Sequence, residues 1–452
     1  MTHINFPYIL IVGLGRSGLA MARFLKKMGN NVVVTDSDAS LMEKGRELEK
    51  LGIITEIGYH NDVTFDQAQM IIASPGIPLD MPHLKRATQK GIPIRGELDV
   101  AAEHIKVPLV AVTGTNGKTT VTTLIDLLLE CSHAPVFTGG NIGVPLAHYF
   151  EGEQQAKVVV AEVSSFQLDT AKAFKPHVAI LLNITPDHMD RYNSPAAYAA
   201  SKWRIFAHQG KNDVAILGSS LSPFKKEIEA LKAKRFFIRL AHEMPPDNGA
   251  HIQENTICFY KEGKKITGEM TISNCLLKGD HNLENIAASA LVALCMGTPM
   301  ADIERTVYQF SGLAHRMEFS GIVDGIPYYN DSKATNPDAV IKALSCFKNL
   351  ILIMGGKEKN TDFSPLQAPI TSRVKHLILM GEASTHIQKA LEGSCDITRV
   401  ATMASAVDLA HTLAQKGDTV MLSPACASFD MYSSYEHRGE DFKHQVKQLT
   451  MP

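Results

Sequence analysis

The sequence contains no long apolar segment and no paired cysteines. None of its 452 residues lies in an apolar run approaching the roughly 18 residues of a membrane-spanning helix. Its seven cysteines are dispersed and form no CxxC pair, which argues against a zinc site and against a disulfide framework. The first residues also lack the pattern of a signal peptide. We therefore expect a soluble, cytoplasmic protein.

Neither sign of charge predominates. The chain carries 45 Lys and Arg residues against 47 Asp and Glu residues, a formal net charge of −2. This balance gives no support to a role on nucleic acids or on a membrane surface. The length suits about three domains, each large enough for a core of its own. We expect a monomer that acts on small molecules.

The pattern of apolar residues predicts an α/β fold. Short β-branched runs alternate with helical patterns, which is typical of mainly parallel sheets. We assign a Rossmann-like N-terminal domain to residues 1–96, a central P-loop-type ATPase domain to residues 97–312 and a Rossmann-like C-terminal domain to residues 313–452. In the first domain a strand ends at Val12, glycines follow, and a helix is predicted over residues 17–28.

The clearest chemical signal is a glycine-rich loop between an apolar strand and an apolar helix. It reads Gly114-Thr115-Asn116-Gly117-Lys118-Thr119-Thr120. Its glycines let backbone N–H groups turn toward a phosphate, and the helix N-terminus adds about half a unit of positive charge. Lys118 can reach the outer phosphates, and the Thr119 hydroxyl can ligate Mg²⁺. The strict pattern needs a glycine where Val112 stands, so this is a variant phosphate loop, with a plain glycine-rich turn as the alternative.

Two polar segments follow the next apolar strands. Glu162 ends the strand VVVAE, where its carboxylate could hold Mg²⁺, although an ordinary strand end would look the same. Residues 185–191, TPDHMDR, follow the strand HVAILLNI. Loops at the carboxyl ends of strands are where α/β proteins place their sites. A solvated polar loop remains the alternative for this second segment.

The first glycine loop has two interpretations. Gly13 to Gly18 match GxGxxG after a strand, and Asp36 ends the second strand, which satisfies a dinucleotide-binding fingerprint and suggests an NAD-dependent dehydrogenase. However, only about 95 residues precede the next unit, enough for half of a doubled nucleotide fold. A second, independent phosphate loop is also superfluous for hydride transfer. We interpret this domain as binding the diphosphate or uridine end of a substrate.

Eight ordered segments together resemble the Mur ligase family. They are GTNGKTT (114–120), GGNIG (139–143), EVSSFQL (162–168), TPDHMDRY (185–192), HNLEN (281–285), HRME (315–318), NDSKATN (330–336) and LSPACASFD (422–430). The resemblance covers nearly the whole chain. It implies an ATP-dependent ligase of peptidoglycan precursor synthesis that adds D-glutamate to UDP-N-acetylmuramoyl-L-alanine through an acyl phosphate. A carboxylate is a poor electrophile, and phosphorylation gives it a good leaving group.

The resemblance also implies two Mg²⁺ sites. Thr119 and Glu162 match the ligands of the first ion, and His188 matches a ligand of the second. Lys202 matches a lysine that is carbamylated in the family and then serves the second ion. Without the carbamate, Lys202 would be a cation and could not be a ligand. The residue type and position of Lys202 alone would suggest a solvated lysine on a helix. For Lys118, the sequence shows no second cation nearby.

The remaining implied residues form the catalytic group and three binding groups. The catalytic group is Lys118, Glu162, His188 and Lys202. The ATP site combines residues 114–120 with Asn282, Arg316, Asp331 and Lys333. The uridine substrate site comprises Ser17, Asp36, Ser37, Gly76 and Asn141. The D-glutamate site comprises Thr335, Lys359, Ser428 and Tyr435. The resemblance does not decide which contact Arg16 makes in the uridine loop. Tyr435 stands where the family often has Phe, and it adds a hydroxyl.

Two other functions remain open from the sequence. A sister ligase such as folylpolyglutamate synthase would share the phosphate loop and the lysine, but it lacks an N-terminal uridine-binding domain. A nucleotide-sensing binding protein would need the phosphate loop, but neither a second metal cluster nor a D-glutamate pocket. Phosphate release from ATP with each candidate acceptor would separate the three functions.

Overall fold

The chain forms two compact units in a computed structural model. The structure describes residues 6–185, 187, 191–254, 256–277, 279–358 and 361–450, with only the backbone of Thr267. The first unit comprises residues 1–275 and 280–309, and the second comprises residues 276–279 and 310–452. Within the described ranges, no helix combines the length and the apolar character needed to cross a membrane.

The first unit begins with a five-stranded sheet of order β3-β2-β1-β4-β5, in which every neighbouring pair is parallel. Its strands are β1 (Ile9–Val12), β2 (Val32–Asp36), β3 (Ile54–Ile57), β4 (Met70–Ala73) and β5 (Ile94–Gly96). Its helices are α1 (Arg16–Lys27), α2 (Met42–Glu49), α3 (Asp62–Asp66), α4 (Pro82–Gln89) and α5 (Glu97–His104). The strand order reverses at β1 and β4, and ligands of such sheets bind beyond the strand ends at that point.

The first unit also contains a nine-stranded sheet of order β14-β13-β12-β11-β10-β9-β6-β8-β7. Its strands are β6 (Leu109–Thr113), β7 (Val136–Gly140), β8 (Val158–Glu162), β9 (Val178–Leu181), β10 (Val214–Leu217), β11 (Lys234–Leu240), β12 (Gly249–Ile252), β13 (Thr256–Lys261) and β14 (Lys264–Thr271). Its helices are α6 (Lys118–His133), α7 (Ser165–Asp169), α8 (Pro195–Trp203), α9 (Lys225–Glu229), α10 (Asp280–Met296) and α11 (Met300–Gln309). Only the pairs β12–β13 and β13–β14 of this order are antiparallel.

The second unit contains a six-stranded sheet of order β15-β16-β20-β17-β18-β19, parallel except for the β15–β16 pair. Its strands are β15 (Glu318–Val323), β16 (Ile326–Asn330), β17 (Leu350–Gly355), β18 (Val374–Met380), β19 (Asp396–Arg399) and β20 (Thr419–Leu422). Its helices are α12 (Pro337–Ser345), α13 (Gln367–Arg373), α14 (Ser384–Ala390), α15 (Met403–Leu413) and α16 (Tyr435–Gln448). The loops after β16, β17 and β20 therefore meet at one edge of the sheet.

Apolar packing joins the two sheets of the first unit and covers both faces of the third sheet. Phe24 of α1 stacks on Phe150 at a ring-centroid distance of 4.3 Å, within a buried cluster that draws on both sheets. Such an aromatic pair adds about 1 kcal/mol beyond the burial of its area. In β17, Leu352 and Ile353 belong to separate clusters on opposite faces, as the two-residue period of a strand requires.

The structure confirms the predicted α/β architecture with mainly parallel sheets. The strand predicted to end at Val12 and the helix predicted over residues 17–28 occur as β1 and α1. Neither β7, whose segment Val136–Gly140 ends in two glycines, nor the β15–β16 hairpin was predicted from the sequence. Glycine and proline weaken strand signals in a sequence, while pairing with β8 and β20 stabilises these strands in the fold.

Candidate active site

The predicted phosphate loop connects β6 to α6 and depends on two glycines with positive φ. Gly114 has φ +159° and Gly117 has φ +85° at the helix N-cap, conformations that other residues rarely adopt. A Cβ atom at Gly117 would lie 2.4 Å from Asn285 Oδ1. The loop can therefore follow this path only with glycine at position 117, and its backbone turns directly into the amino end of α6.

A side chain that the sequence analysis missed holds the loop in place. Asn183, just beyond β9, accepts hydrogen bonds at its side-chain oxygen from the backbone N–H groups of Thr115 (3.1 Å) and Asn116 (2.9 Å). The Thr115 hydroxyl donates to the Thr185 carbonyl oxygen at 3.1 Å. The only signal in the sequence was a polar residue directly after a buried strand. The end of β9 thus fixes the phosphate loop.

Two lysines converge on one carbonyl oxygen of this loop. The Lys118 ammonium donates to the carbonyl oxygens of Gly114 (3.0 Å) and Thr115 (2.9 Å). The Lys202 ammonium donates to the same Gly114 oxygen at 2.8 Å. Lys202 lies on α8 with only 2% of its surface exposed, and its nitrogen is 4.7 Å from the centre of the Tyr198 ring. Lys202 is therefore not the solvated lysine that its residue type suggested.

The environment of Lys202 disfavours its charged form. Burial, and then the neighbouring Lys118 cation, lower the pKa of Lys202 from 10.5 to about 7, against opposing contributions from Asp187 and Asp169. A lysine in this state exists partly as a neutral amine at neutral pH. The neutral amine is the form that can react with an electrophile.

Glu162 has one carboxylate oxygen bound and one without a partner. Its Oε1 accepts from the Asn141 side-chain amide at 2.8 Å, and the Asn141 backbone N–H donates to the Glu162 carbonyl oxygen at 2.8 Å. Its Oε2 is buried and has no hydrogen-bond partner among the described residues. A buried carboxylate oxygen without a donor suits a hard cation. Thr119 lies in the first turn of α6, after the strand that pairs with the strand of Glu162.

The structure gives no position for His188, the residue predicted to bind the second Mg²⁺ ion. His188 lies outside the described residues. Within the described ranges, no group of three or more His, Cys, Asp or Glu side chains is arranged to hold a metal ion. The ligand types of Thr119 and Glu162 suit Mg²⁺, and both Mg²⁺ sites stay predictions.

Asp36 holds the first glycine loop. Its Oδ2 accepts from the Leu14 backbone N–H at 2.6 Å, and its Oδ1 accepts from the Asp38 N–H at 2.9 Å. Directly after β4, the Ser74 hydroxyl donates to the Gly13 carbonyl oxygen at 3.0 Å. These contacts bring the loop together with the turn containing Gly76, at the point where the strand order of the first sheet reverses. Ser17 is partly buried, whereas Ser37 and Gly76 are exposed.

Two arginines connect the loops of the first sheet to those of the second. Arg16 Nη1 donates to the Gly143 carbonyl oxygen at 3.1 Å. Arg191 Nη2 donates to the Ile77 carbonyl oxygen at 3.2 Å. Gly143 belongs to the same turn as Asn141. The predicted uridine-site residues and the phosphate loop thus belong to connected segments of the first unit.

The predicted nucleotide residue of α10 lies close to the phosphate loop. Asn282 is buried and accepts at its side-chain oxygen from the Asn285 side-chain amide at 3.1 Å. Asn285 in turn is the residue that a side chain at Gly117 would strike. A cleft of about 60 Å³ adjoins these groups and is lined by Asn116, Gly117, Leu182, Asn183, Gly218, Ile238, His281, Glu284 and Asn285.

In the second unit, Asp331 follows β16 as a buried carboxylate. Its Oδ1 accepts from the Met317 N–H at 3.1 Å and its Oδ2 accepts from the Ser423 hydroxyl at 2.8 Å. Burial raises the pKa of Asp331 to about 7, while these two hydrogen bonds and the Arg316 cation oppose the shift. Asp331 thus links the loop after β16 to the loop after β20.

The predicted D-glutamate residues lie in the loops of the same sheet. The Lys333 ammonium is 5.0 Å from the centre of the Tyr435 ring, at the start of α16. Ser428 is buried in the loop after β20, whereas Thr335 is exposed before α12. Lys359 lies outside the described residues. The sequence analysis also missed Arg438, a buried cation one turn beyond Tyr435.

Three family domains match consecutive parts of the chain. Residues 7–96 match the Mur ligase MurD-like N-terminal domain, residues 112–293 match the Mur ligase middle domain, and residues 315–426 match the Mur ligase glutamate ligase domain. The first glycine loop thus lies in a domain that matches the N-terminal domain of Mur ligases.

Solved structures share the fold at low sequence identity. A pseudomurein peptide ligase type C from Methanothermus fervidus is 18% identical with a TM-score of 0.57, covering 99% of this chain and 100% of that chain. UDP-N-acetylmuramate-alanine ligase MurC from Thermotoga maritima is 18% identical with a TM-score of 0.54, covering 98% and 99%. The MurF ligase from the same organism, solved in complex with ADP, is 18% identical with a TM-score of 0.55, covering 84% and 90%.

Relatives at higher identity extend over almost the full length. The UDP-N-acetylmuramoylalanine–D-glutamate ligase of Desulfosudis oleivorans is 43% identical over 444 residues, which are 98% of this chain and 96% of that protein. The ligase of the same name from Koribacter versatilis is 40% identical, covering 98% and 97%. The chain therefore belongs to the Mur ligase family.

Proposed function

We propose that the protein joins the carboxylate of UDP-N-acetylmuramoyl-L-alanine to the amine of D-glutamate and hydrolyses ATP to ADP and phosphate in doing so. The substrate carboxylate attacks the γ-phosphorus of ATP, ADP leaves, and an acyl phosphate forms. The D-glutamate amine then attacks the acyl carbon, loses a proton, and inorganic phosphate leaves. The printed name of the full-length relatives supports this assignment.

The observation that carries the proposal is the convergence of Lys118 and Lys202 on the phosphate loop. Both phosphoryl transfer and acyl transfer place negative charge on oxygen atoms, and fixed cations and backbone N–H groups stabilise that charge. Lys118 donates to two carbonyl oxygens of the loop itself, which supports a role for its ammonium beside the outer phosphates of a nucleotide. The Asn183 contacts keep the loop in this conformation before ATP arrives.

We propose two Mg²⁺ sites, the first held by Thr119 and Glu162 and the second by His188 and a carbamate on Lys202. Bound Mg²⁺ would neutralise phosphate charge and orient the γ-phosphoryl group. The unpartnered Oε2 of Glu162 supports the first site. For the second site, the lowered pKa of Lys202 supplies the neutral amine that carbamylation by CO₂ requires. The resulting carbamate is an anion with two oxygens, the type of ligand Mg²⁺ accepts.

We also propose that three domains, residues 1–96, 97–312 and 313–452, each bind a different substrate or part of one. The first binds the uridine substrate, mainly through Ser17, Asp36, Ser37 and Gly76 with Asn141 from the second. The second binds ATP through residues 114–120 and Asn282. The third contributes Arg316, Asp331 and Lys333 to nucleotide binding and binds D-glutamate through Thr335, Lys359, Ser428 and Tyr435. We expect the protein to act as a cytoplasmic monomer.

One assay tests the reaction and its acceptor. ADP formation is followed with ATP, Mg²⁺ and UDP-N-acetylmuramoyl-L-alanine, with D-glutamate, L-glutamate or no amino acid added. Of the three conditions, we expect rapid ADP release only when D-glutamate is added. The product should have the mass of UDP-N-acetylmuramoyl-L-alanine plus D-glutamate less one water. Equal rates with L-glutamate, or turnover that does not need the uridine substrate, would disprove the proposal.

A further inference from the structure

Arg438 is an almost fully buried cation with hydrogen bonds to three segments of the chain. Only 2% of its surface is exposed. Its Nε donates to the Ser332 hydroxyl at 2.9 Å, and its Nη2 donates to the carbonyl oxygens of Ser332 (2.8 Å) and Cys426 (3.0 Å). Its Nη1 makes longer contacts of 3.4 Å with the carbonyl oxygens of Gly355 and Ala427. One side chain thus joins the end of β17 to the loops after β16 and β20.

No carboxylate forms an ion pair with Arg438 in the part of the chain that the structure describes. Burial lowers the pKa of its guanidinium to about 10, so the group remains protonated at neutral pH. Burying a charge without a counterion is costly unless its donors are satisfied. Carbonyl dipoles supply that compensation here. Because the guanidinium donors are satisfied by these carbonyl oxygens, Arg438 also orients the carbonyl groups toward itself.

The peptide between Ser332 and Lys333 is held from both sides. In a trans peptide the C=O and N–H groups point in opposite directions. The Ser332 carbonyl oxygen faces Arg438, and the Lys333 N–H donates to the His315 carbonyl oxygen at 3.0 Å. This peptide precedes the Lys333 side chain, whose ammonium lies over the Tyr435 ring. Arg438 therefore fixes the point from which the Lys333 side chain departs.

The peptide between Ala427 and Ser428 shows the same relationship. The Ala427 carbonyl oxygen accepts from the Lys357 N–H at 2.8 Å and also faces Arg438. The Ser428 N–H accordingly points away from Arg438, and Ser428 itself is buried. Nearby, Ala425 has φ +58°, a left-handed conformation that costs energy without glycine. The Ala427–Ser428 peptide is thus held in one orientation.

We propose that Arg438 is a positioning residue that orients the Ala427–Ser428 peptide for the binding of the D-glutamate carboxylates. The inference rests on the proposed function, which assigns Ser428 and Tyr435 to D-glutamate and Lys333 to the nucleotide. Arg438 does not touch the substrate. It holds the Ala427 carbonyl oxygen on the inner side of the loop after β20, so that the Ser428 N–H is presented on the other side. Anionic ligands bind to such preoriented donors.

Kinetics of Arg438→Lys and Arg438→Met test the proposal. Lysine retains the charge but lacks the planar fork of donors, and methionine retains most of the length without any donor. We expect the KM for D-glutamate to rise about 10-fold in Arg438→Lys and about 100-fold in Arg438→Met, because hydrogen bonds to charged groups contribute strongly to orientation. The KM for the uridine substrate should stay within about twofold, since its predicted residues lie in the first unit.

Chemical rescue separates positioning from general stability. In Arg438→Ala, added ethylguanidinium is expected to lower the raised KM for D-glutamate, whereas the same concentration of ethylammonium should not. Folding of every variant is checked by thermal unfolding. If Arg438→Met and Arg438→Ala fail to fold, Arg438→Lys decides the matter, because it keeps both the charge and the packing of the stem.

The outcomes distinguish this inference from the proposed function. Wild-type protein that shows no turnover dependent on D-glutamate would disprove the function itself. Wild-type activity together with an unchanged D-glutamate KM in folded Arg438→Lys would overturn the positioning role alone. Equal increases in the KM values of all three substrates would also overturn it, since they would show a general loss of structure.

Discussion

The ammonium groups of Lys118 and Lys202 donate to the same oxygen, the carbonyl oxygen of Gly114. Two cations on one acceptor repel each other, and Lys118 is the second cause, after burial, of the lowered pKa of Lys202. The arrangement is favourable once Lys202 is neutral or carries a negative group. The phosphate loop therefore couples the charge of Lys118, the lysine predicted to contact phosphates, to the chemical state of Lys202.

Lys118→Ala is expected to reduce kcat about 100- to 1,000-fold, because a fixed cation that stabilises charge in the transition state is lost. Lys202 cannot replace it if it is neutral or carbamylated. The measurement is ADP formation with saturating substrates, with the exposed Lys172→Ala as a control for loss of a lysine. Near-normal kcat in a folded Lys118→Ala variant would contradict the assignment of the phosphate loop.

Glu162→Gln is expected to reduce activity by weakening Mg²⁺ binding. Glutamine keeps an oxygen that can accept from Asn141, so the contact at 2.8 Å should survive, but the negative charge is lost. We expect the Mg²⁺ concentration for half-maximal activity to rise about tenfold or more, since ligand charge governs the affinity for hard cations. Glu97→Gln, another buried carboxylate with an unpartnered oxygen, is the control. An unchanged Mg²⁺ dependence in Glu162→Gln would exclude Glu162 as a ligand.

The phosphate loop could be predicted from the sequence because its elements are local. Strand, glycines, lysine and helix follow one another within residues 109–133, and their spacing alone defines the geometry. The same holds for Glu162 and Asp36, each at the end of a strand. The resemblance to a family then supplied roles that spacing could not. The structure leaves the predictions for His188 and Lys359 untested.

The contacts that depend on distant residues could not be predicted. Lys202 reaches a carbonyl oxygen 88 positions away in the sequence, and Asn183 reaches the loop across 68 positions. Arg438 contacts residues 106 positions earlier, from a helix whose sequence gives no sign of burial at that position. Such contacts arise when strands from remote parts of the chain become neighbours. The type of a residue and the sequence around it do not identify the distant residue that it will contact.

Asp36→Ala is expected to raise the KM for the uridine substrate about tenfold and to leave the KM for ATP nearly unchanged. The substitution leaves the backbone N–H groups of Leu14 and Asp38 without their acceptor and loosens the first glycine loop. Asp38→Ala is the control, because its side chain accepts from the exposed Ser40 instead.

The domain of residues 1–96, which contains Asp36, should not bind NADH. Fluorescence titration of the wild-type protein with NADH is expected to give no saturable signal at micromolar concentrations. Saturable binding that is lost in Asp36→Ala would support the dinucleotide-binding interpretation of the first glycine loop and contradict ours.

Glu97→Gln is expected to stabilise the first unit above pH 7 and to have little effect near pH 4. Burial raises the pKa of Glu97 from 4.5 to about 7, against hydrogen bonds from the N–H groups of Ala147 and Leu146. The folded protein therefore binds more protons than the unfolded chain between these pH values, so wild-type stability falls as the pH rises through that window. Glutamine removes the dependence and should add about 1–3 kcal/mol above pH 7.

Urea unfolding monitored by Trp203, the single tryptophan of the chain and a residue of the first unit, measures this difference. The series covers pH 4 to 8, and ADP formation is assayed in parallel and should be unaffected. A difference between Glu97→Gln and wild type that does not change with pH would show that the Glu97 carboxylate does not titrate in this range.

Lys202→Ala is expected to be nearly inactive and to recover part of its activity when a short-chain carboxylic acid is added. The variant leaves a space beside the Gly114 carbonyl oxygen and Tyr198 where the carbamate would lie, and a small carboxylate can supply the missing anion with two oxygens. Propionate and its uncharged analogue propionamide form a matched pair, since only the former brings a charge. Wild-type protein in ¹³C-labelled bicarbonate should show a carbamate carbon resonance that is absent in Lys202→Ala. Full activity in buffers freed of CO₂, with no such resonance in the wild type, would rule out the carbamate while leaving the ligase assignment intact.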